Sequence, residues 1–493
     1  MTSDSVNIRK LFSIRFLSAL LGVGGSIITI YSFGTRNNIE IWFLSSLIFN
    51  SFISLSQAGL ISELIIPVYT AERKTNSEKA SDIFSYLVNI VLFCSIFLVT
   101  IMYFNLSEIL LLIFNDNMDI DFVRLNKFTS IINLLIPLSL VNIILKSVLN
   151  SHGIFGVPEK IKVVKQIITI TSIVFLYKWG IVALALPFVI GIILEFCVLS
   201  IYIKKTSFKY NYKVIRKPQL NTNFAFNKNI GSTMLYVIST QVFTIYLTSV
   251  ISGFNIIFYN SYTYVINLFK VLRNTTINSF KTVYLTSFSL DETRFHKIKK
   301  ELNLMDFILG SLMIFIGVNS EAILMFLWKN ENFGIDSIIK ASYILKILSL
   351  GYIFDLLLFF MSMKIKIDLK FNKLLLIQSL VQICCVIILY VLAHNAVSYD
   401  KVYCIIFINF LLNSVFLYLG FDAIYKELVF AVRRIKVLLI ILIFNLFVFM
   451  GSSAVNINIY DSRIILFIFL TVNFSVSSIL TWFLYKYIDK RSL

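Results

Sequence analysis

Charge is scarce in this chain: Asp, Glu, Lys and Arg make up 14% of its 493 residues, where a soluble domain carries about 25%. So little charge cannot clothe a water-facing surface, which excludes a soluble globular enzyme. Histidine is scarcer still, with three residues (His152, His296, His394) far apart in the chain. Neither an HExxH pair nor a Walker or GxSxG pattern is present, so no hydrolytic or nucleotide-driven chemistry is predicted. No predicted outer loop could hold a catalytic domain of about 50 residues or more. The five cysteines, Cys94, Cys197, Cys384, Cys385 and Cys404, all fall inside apolar runs, where a free thiol behaves as a small hydrophobe. Neither a disulfide nor a metal cluster is predicted, and no cofactor.

What is abundant is apolar sequence, 58% of the chain. It is gathered into fourteen runs at approximately 11–33, 41–69, 83–103, 125–149, 161–177, 181–203, 229–253, 256–288, 304–318, 338–363, 373–393, 402–423, 436–455 and 464–487. Most approach the roughly 20 residues that a helix needs to cross a bilayer. The first is too long for a signal-peptide core and reads as a spanning helix. The predicted fold is all-α and polytopic. The net charge of +18 could suggest nucleic acid, but its location argues for the membrane surface instead. With the N-terminus inside, inner segments hold 29 Lys and Arg against 6 in outer loops. That asymmetry predicts cytoplasmic N- and C-termini and contact with anionic lipid headgroups, not nucleic acid.

The chain also repeats itself. Pro67-Val68-Tyr69-Thr70 has a counterpart in Val283-Tyr284-Leu285-Thr286, and Ser107-Glu108-Ile109-Leu110 recurs as Ser320-Glu321-Ala322-Ile323-Leu324. The offsets, 215 and 213, nearly agree. In both copies a short apolar outer piece follows the third span, at a depth predicted to be interfacial. Two parallel six-helix halves, 1–215 and 216–430, are therefore predicted, with two additional helices in 431–493 and a central site between the halves.

Charges at bilayer depth are the best pointers to function, because each costs a few kcal/mol unless it meets water, a partner or a ligand. Lys270 and Arg273 sit mid-span, three apart and so on one helix face. Two cations there suit an anionic diphosphate; pairing with a carboxylate such as Asp355 is the alternative. Asp355, also mid-span, reads as an ion or proton site or as a counter-ion to Lys346, Lys270 or Arg273. Glu40 opens the second span, where the helix dipole favours a carboxylate. Glu63 and Glu195 are expected to snorkel or to pair with loop lysines. Arg15 and Lys146 lie close enough to the inner interface to reach phosphates.

The second span carries the most specific pattern. Phe33-Gly34, then Ile41-Trp42-Phe43, Ala58-Gly59-Leu60-Ile61-Ser62 and Ile66-Pro67-Val68 run without a gap to Arg73. This resembles the MviN/MurJ-type lipid II flippases, which read FG, an acid, an aromatic pair, E-G-A-x-S and F-V-P. Ser147-Val148-Leu149-Asn150 through Phe155-Gly156-Val157-Pro158 is similar to the same family's L-N-x-x-x-x-F-x-x-P. The fourteen spans in a 6+6+2 plan match as well. The resemblance implies a flippase of the multidrug/oligosaccharidyl-lipid/polysaccharide exporter superfamily in the bacterial cell (inner) membrane. Its substrate would be an undecaprenyl-diphosphate-linked saccharide moved from inner to outer leaflet by alternating access. Coupling would be to a monovalent cation or the membrane potential, and polysaccharide or cell-wall synthesis enzymes would be partners.

The family's early acid falls on Glu40. Its four cavity arginines fall on Ala19, Gly25, Ile53 and Asn267, with Lys270 and Arg273 about one turn beyond the last. Losing all four points toward a surface-polysaccharide repeat unit or related cell-envelope precursor. Lipid II for peptidoglycan synthesis is the first alternative, and a drug/cation antiporter with Asp355 as its ion site the second. A non-transporting scaffold for synthases would tolerate loss of the cavity charges. The predicted substrate contacts are Lys270, Arg273, Glu40, Asn267, Arg15 and Lys146, with Asp355 for ion coupling.

Overall fold

The computed structural model describes residues 3–35, 39–57, 77–114, 121–152, 154, 156–206, 210–212, 226–275, 309–367, 371–394, 398–425 and parts of 443–478. Within them the chain is helical, apart from one turn of 3₁₀ helix at Tyr177–Trp179 and one isolated bridge, Asn330 to Phe333. The helices are α1 (Ser3–Phe33), α2 (Ile39–Gln57), α3 (Ser77–Ile113), α4 (Phe122–Asn133), α5 (Ile136–Ser151), α6 (Gly156–Leu176), α7 (Val182–Lys204) and α8 (Phe226–Phe254). They continue with α9 (Ile256–Thr275), α10 (Leu309–Val318), α11 (Ser320–Trp328), α12 (Ile335–Ile367), α13 (Phe371–His394) and α14 (Tyr399–Tyr425). These fall on the first twelve predicted spans. Almost all of the thirteenth and most of the fourteenth lie outside the described residues, as do Ala58–Arg73 and Val283–Thr286 of the sequence patterns. Among the described residues six helices are long and apolar enough to cross a membrane, seven if α10 and α11 form one span. The chain is an all-helical, polytopic membrane protein.

Two spans show how local sequence sets helix continuity. The third was expected to stop near 103, ahead of a separate outer piece, yet α3 runs unbroken for 37 residues. No glycine or proline interrupts 77–113, so nothing stops the i to i−4 hydrogen bonding. The counterpart, α10 and α11, is broken by a 75° bend. Gly317 and Asn319 flank that break, and Asn319 Nδ2 donates back to the Phe315 carbonyl at 3.0 Å. Here the separate apolar piece seen in the sequence is a separate helix.

The chain forms two compact units, Met1–Asn260 and Ser261–Leu493. The repeat divides the chain in the 204–228 loop, whereas packing keeps α8 with the first unit, against α2 and α3. Ser249 on α8 donates its hydroxyl to the Ile113 carbonyl at the end of α3, and Asn260 Nδ2 donates to the Thr35 carbonyl at 2.9 Å. Between lipid-bathed helices there is no water to exclude, so close packing and hydrogen bonds hold them together. In the first unit, Ala80, Phe84, Ile144, Val148, Leu149 and Leu199 form a core shared by α3, α5 and α7. The aromatic signature of α2 is an anchor. Trp42 meets Phe128 edge-on at 6.3 Å and Phe188 at 5.5 Å, and Ser45 bonds Thr129 at 2.7 Å.

In the second unit, Trp328, Phe333 and Tyr352 are fully buried. Tyr264 of α9 packs on Trp328 and Phe333, with ring centroids 6.2 and 6.0 Å apart. Phe269 meets Tyr352 of α12 edge-on at 5.4 Å.

Candidate functional site

The aromatic packing of α9 decides which way its polar residues face. Tyr264, Val265, Leu268 and Phe269 are buried toward α11 and α12, which leaves Asn267, Lys270 and Arg273 exposed on the other side. Residues 267, 270 and 273 follow one another at intervals of three, so they share a helix face. Three of the sequence-predicted substrate contacts therefore lie together. Lys270 has no hydrogen-bond or ion-pair partner among the described residues. Its ammonium has three donors to satisfy, and none of the described residues supplies an acceptor.

Asp355 lies in α12, three residues beyond Tyr352, whose contact with Phe269 sets the register of α9 on α12. Its side chain lies outside the described residues. Lys346, its other proposed counter-ion, lies over the Tyr343 ring with its ammonium 5.6 Å from the centroid.

Arg15 and Lys146 sit elsewhere, in the first unit, and both are neutralised there. Arg15 of α1 grips one oxygen of Glu159 on α6, through Nε at 2.7 Å and the guanidinium NH2 at 2.6 Å. One turn along, Ser18 donates to Gln166 Oε1 at 2.8 Å, and further on Gly25 meets Ile170. Contacts that advance together along both helices make α1 and α6 parallel. Glu195 of α7 was expected to pair with loop lysines. It pairs instead with two lysines inside helices, Lys146 of α5 through one oxygen and Lys165 of α6 through the other at 3.0 Å. The loops carry more lysine, but a carboxylate this deep takes the partners at its own level. Glu195 is the buried centre of the triad, at 8% side-chain exposure against 33% and 28% for the two lysines.

Gly191, one turn before Glu195, lets the Lys165 stem lie flat against α7. A Cβ there would meet Lys165 Cε at 2.9 Å and Cγ at 3.2 Å. The sequence reading missed Glu159, Lys162 and Lys165 as a group because the fifth run was started at 161, leaving Glu159 outside it, whereas α6 begins at Gly156. The signal was available in their spacing of three, which lines them along one face of α6.

Glu40 is buried in the first turn of α2. Two of the four positions onto which the resemblance maps the missing arginines are used for packing. Gly25 is close against Ile170, and Ile53 is 8% exposed. Ala19 is half-buried and Asn267 exposed. Among the described residues no His, Cys, Asp and Glu gather as metal ligands.

The comparisons with known proteins agree with this architecture. No curated protein sequence matches the chain. Among solved structures, the chain is similar to the lipid II flippase MurJ in an inward closed conformation, at TM-score 0.74 and 19% identity over 97% of this chain and 99% of that one. A MOP superfamily transporter from Pyrococcus furiosus superposes at TM-score 0.58 and 13% identity, covering 89% and 97%. The Vibrio cholerae MATE transporter VcmN in the bent form does so at 0.55 and 13%, covering 88% and 100%. These likenesses show a shared transporter fold. The family model for the lipid II flippase MurJ matches residues 30–365, well over half of the chain, and so the chain belongs to the MurJ family of lipid-linked precursor flippases and is a transporter, not an enzyme.

Proposed function

We propose that this family member moves an undecaprenyl-diphosphate-linked saccharide other than lipid II, a surface-polysaccharide repeat unit or a related envelope precursor, from the inner to the outer leaflet. One observation carries the reading. α9 offers Lys270 on an exposed face, beside Arg273 and Asn267, with no carboxylate partner for Lys270 among the described residues. A diphosphate repays the desolvation of such cations through charge-assisted hydrogen bonds. Glu40 lies at the predicted outer mouth, and Asp355 is the candidate site for the coupling ion. The packed positions Gly25 and Ile53 support a headgroup other than the family's named one, because neither leaves a cation for it. Arg15 and Lys146 are not proposed as partners of Lys270 in carrying the headgroup, since Glu159 and Glu195 each hold one contact to them. The loop charges support termini on the cytoplasmic side.

Complementation tests the substrate. Expressed in cells depleted of their own lipid II flippase, the chain is expected not to restore growth. In cells lacking a flippase for a surface-polysaccharide unit, it is expected to restore the polymer. Rescue of the lipid II-depleted cells would overturn the substrate assignment and return the family's named substrate.

A further inference from the structure

The charges of the first unit do not balance. Arg15, Lys146 and Lys165 stand within electrostatic reach of Lys162, and among the described residues two carboxylates, Glu159 and Glu195, pair with this group. The carboxylates are the buried members, and the lysines open outward: Lys146 and Lys165 keep about a third of their side chains accessible, and Lys162 is exposed. Each ammonium has three donors. Lys146 and Lys165 each give one to Glu195, and among the described residues no other acceptor takes the rest. Lys162 makes no ion pair within 4 Å among the described residues.

Two helices, α5 and α6, thus present three ammoniums whose remaining donors find no acceptor among the described residues, with the carboxylate of α7 between them. From the helix ends at Ser151 and Gly156, Lys146, Lys162 and Lys165 lie about 7 to 14 Å along their helices at 1.5 Å per residue. The stems of Lys146 and Lys162, the two nearer the helix ends, can snorkel toward the phosphate plane, with Lys165 behind them.

We propose that Lys146, Lys162 and Lys165 form a binding site for a phosphate-bearing lipid headgroup, separate from Lys270 and Arg273. The site takes the phosphate from the leaflet at the face predicted cytoplasmic, with Glu195 behind it holding two of the three ammoniums in place. Its chemistry is common to an anionic phospholipid and to a polyprenyl diphosphate, and the probes below separate these sources.

The experiment uses the full chain in phosphatidylcholine nanodiscs, titrated in turn with phosphatidylglycerol, undecaprenyl diphosphate and inorganic phosphate, with native mass spectrometry counting bound lipid. The informative variant is Lys162→Gln, which breaks no ion pair and leaves the triad intact. Losing one lysine near the surface is expected to weaken the lipid that occupies the site about fivefold, and Lys162→Arg to restore it. Retention of phosphatidylglycerol names a bulk lipid as the ligand; retention of undecaprenyl diphosphate alone names the substrate class. Lys162→Gln retaining both lipids as tightly as the unchanged chain overturns the site. Inorganic phosphate competing as well as the lipids overturns the headgroup assignment. The Lys270→Gln/Arg273→Gln variant is expected to bind at this site unchanged, so failure here is distinct from failure of the proposed substrate site.

Discussion

Glu195 and Lys270 make the sharpest contrast in the molecule. Both are single charges carried into the membrane on long apolar helices. Glu195 is met from two sides, by Lys146 and Lys165, on two other helices. Lys270 faces away from its own packing surface and meets none of the described carboxylates. A charge that neighbouring helices neutralise serves to hold those helices together. A charge on an exposed face does not serve that end through the described residues. That difference separates the framework charges of the first unit from the exposed face of α9, the proposed headgroup surface.

Several substitutions break that contrast, and they rank by how firmly each charge is held. Glu195→Ala should do most damage, because it leaves two ammoniums without their acceptor. Removing one member of a buried pair costs about 3–5 kcal/mol, which thermal unfolding of the purified protein would register. Replacing the whole triad, as Glu195→Leu with Lys146→Met and Lys165→Met, should recover most of that loss, because apolar residues of similar volume substitute well for buried ion groups. Failure of the triple variant to recover would mean that the triad supplies more than cohesion. Glu159→Ala comes next, at about 2–4 kcal/mol, since Arg15 loses this carboxylate but can still extend toward the interface.

Two glycine positions sharpen the comparison without touching a charge. Gly351→Ala places a Cβ 2.5 Å from Phe410 Cγ, between α12 and α14. A packed ring yields poorly, so about 1–3 kcal/mol is expected. Gly191→Ala meets a lysine stem that can swing aside, and should cost less, about 1 kcal/mol. Its distinctive effect is on the Lys165–Glu195 contact, visible as a smaller additional loss when Lys165→Met is added. Equal losses with and without Gly191→Ala would show that the glycine does not position Lys165.

The fold was largely legible in the amino-acid sequence, since long apolar runs bounded by basic loops leave few alternatives to spanning helices. Even the isolated piece at 320–328 was visible, as a short apolar stretch that follows a span and matches the repeat, and the structure bends by 75° just before it. The end of α3 was misjudged for the converse reason: polarity rises after 103, but no breaker follows, so the helix continues to Ile113. Ion-pair partners were the least legible. Arg15 and Glu159 are 144 residues apart, and Lys165 and Glu195 are 30 apart on different helices. Such pairs are chosen by depth and helix neighbourhood, which local pattern does not encode. The face of α9 was legible because spacings of three on one helix need no tertiary knowledge. What the sequence lacked was the ring packing of Tyr264 and Phe269, which turns that face outward.

The most direct test is leaflet exchange of an undecaprenyl-diphosphate-linked saccharide in proteoliposomes, comparing the unchanged chain with Lys270→Gln/Arg273→Gln. The account predicts translocation at least about tenfold slower in the double variant, as when an interaction worth about 1.4 kcal/mol or more is lost. The unfolding temperature of both proteins is measured alongside, so that lost transport is told apart from lost folding. Equal rates would contradict the assignment of α9 as the surface that carries the headgroup.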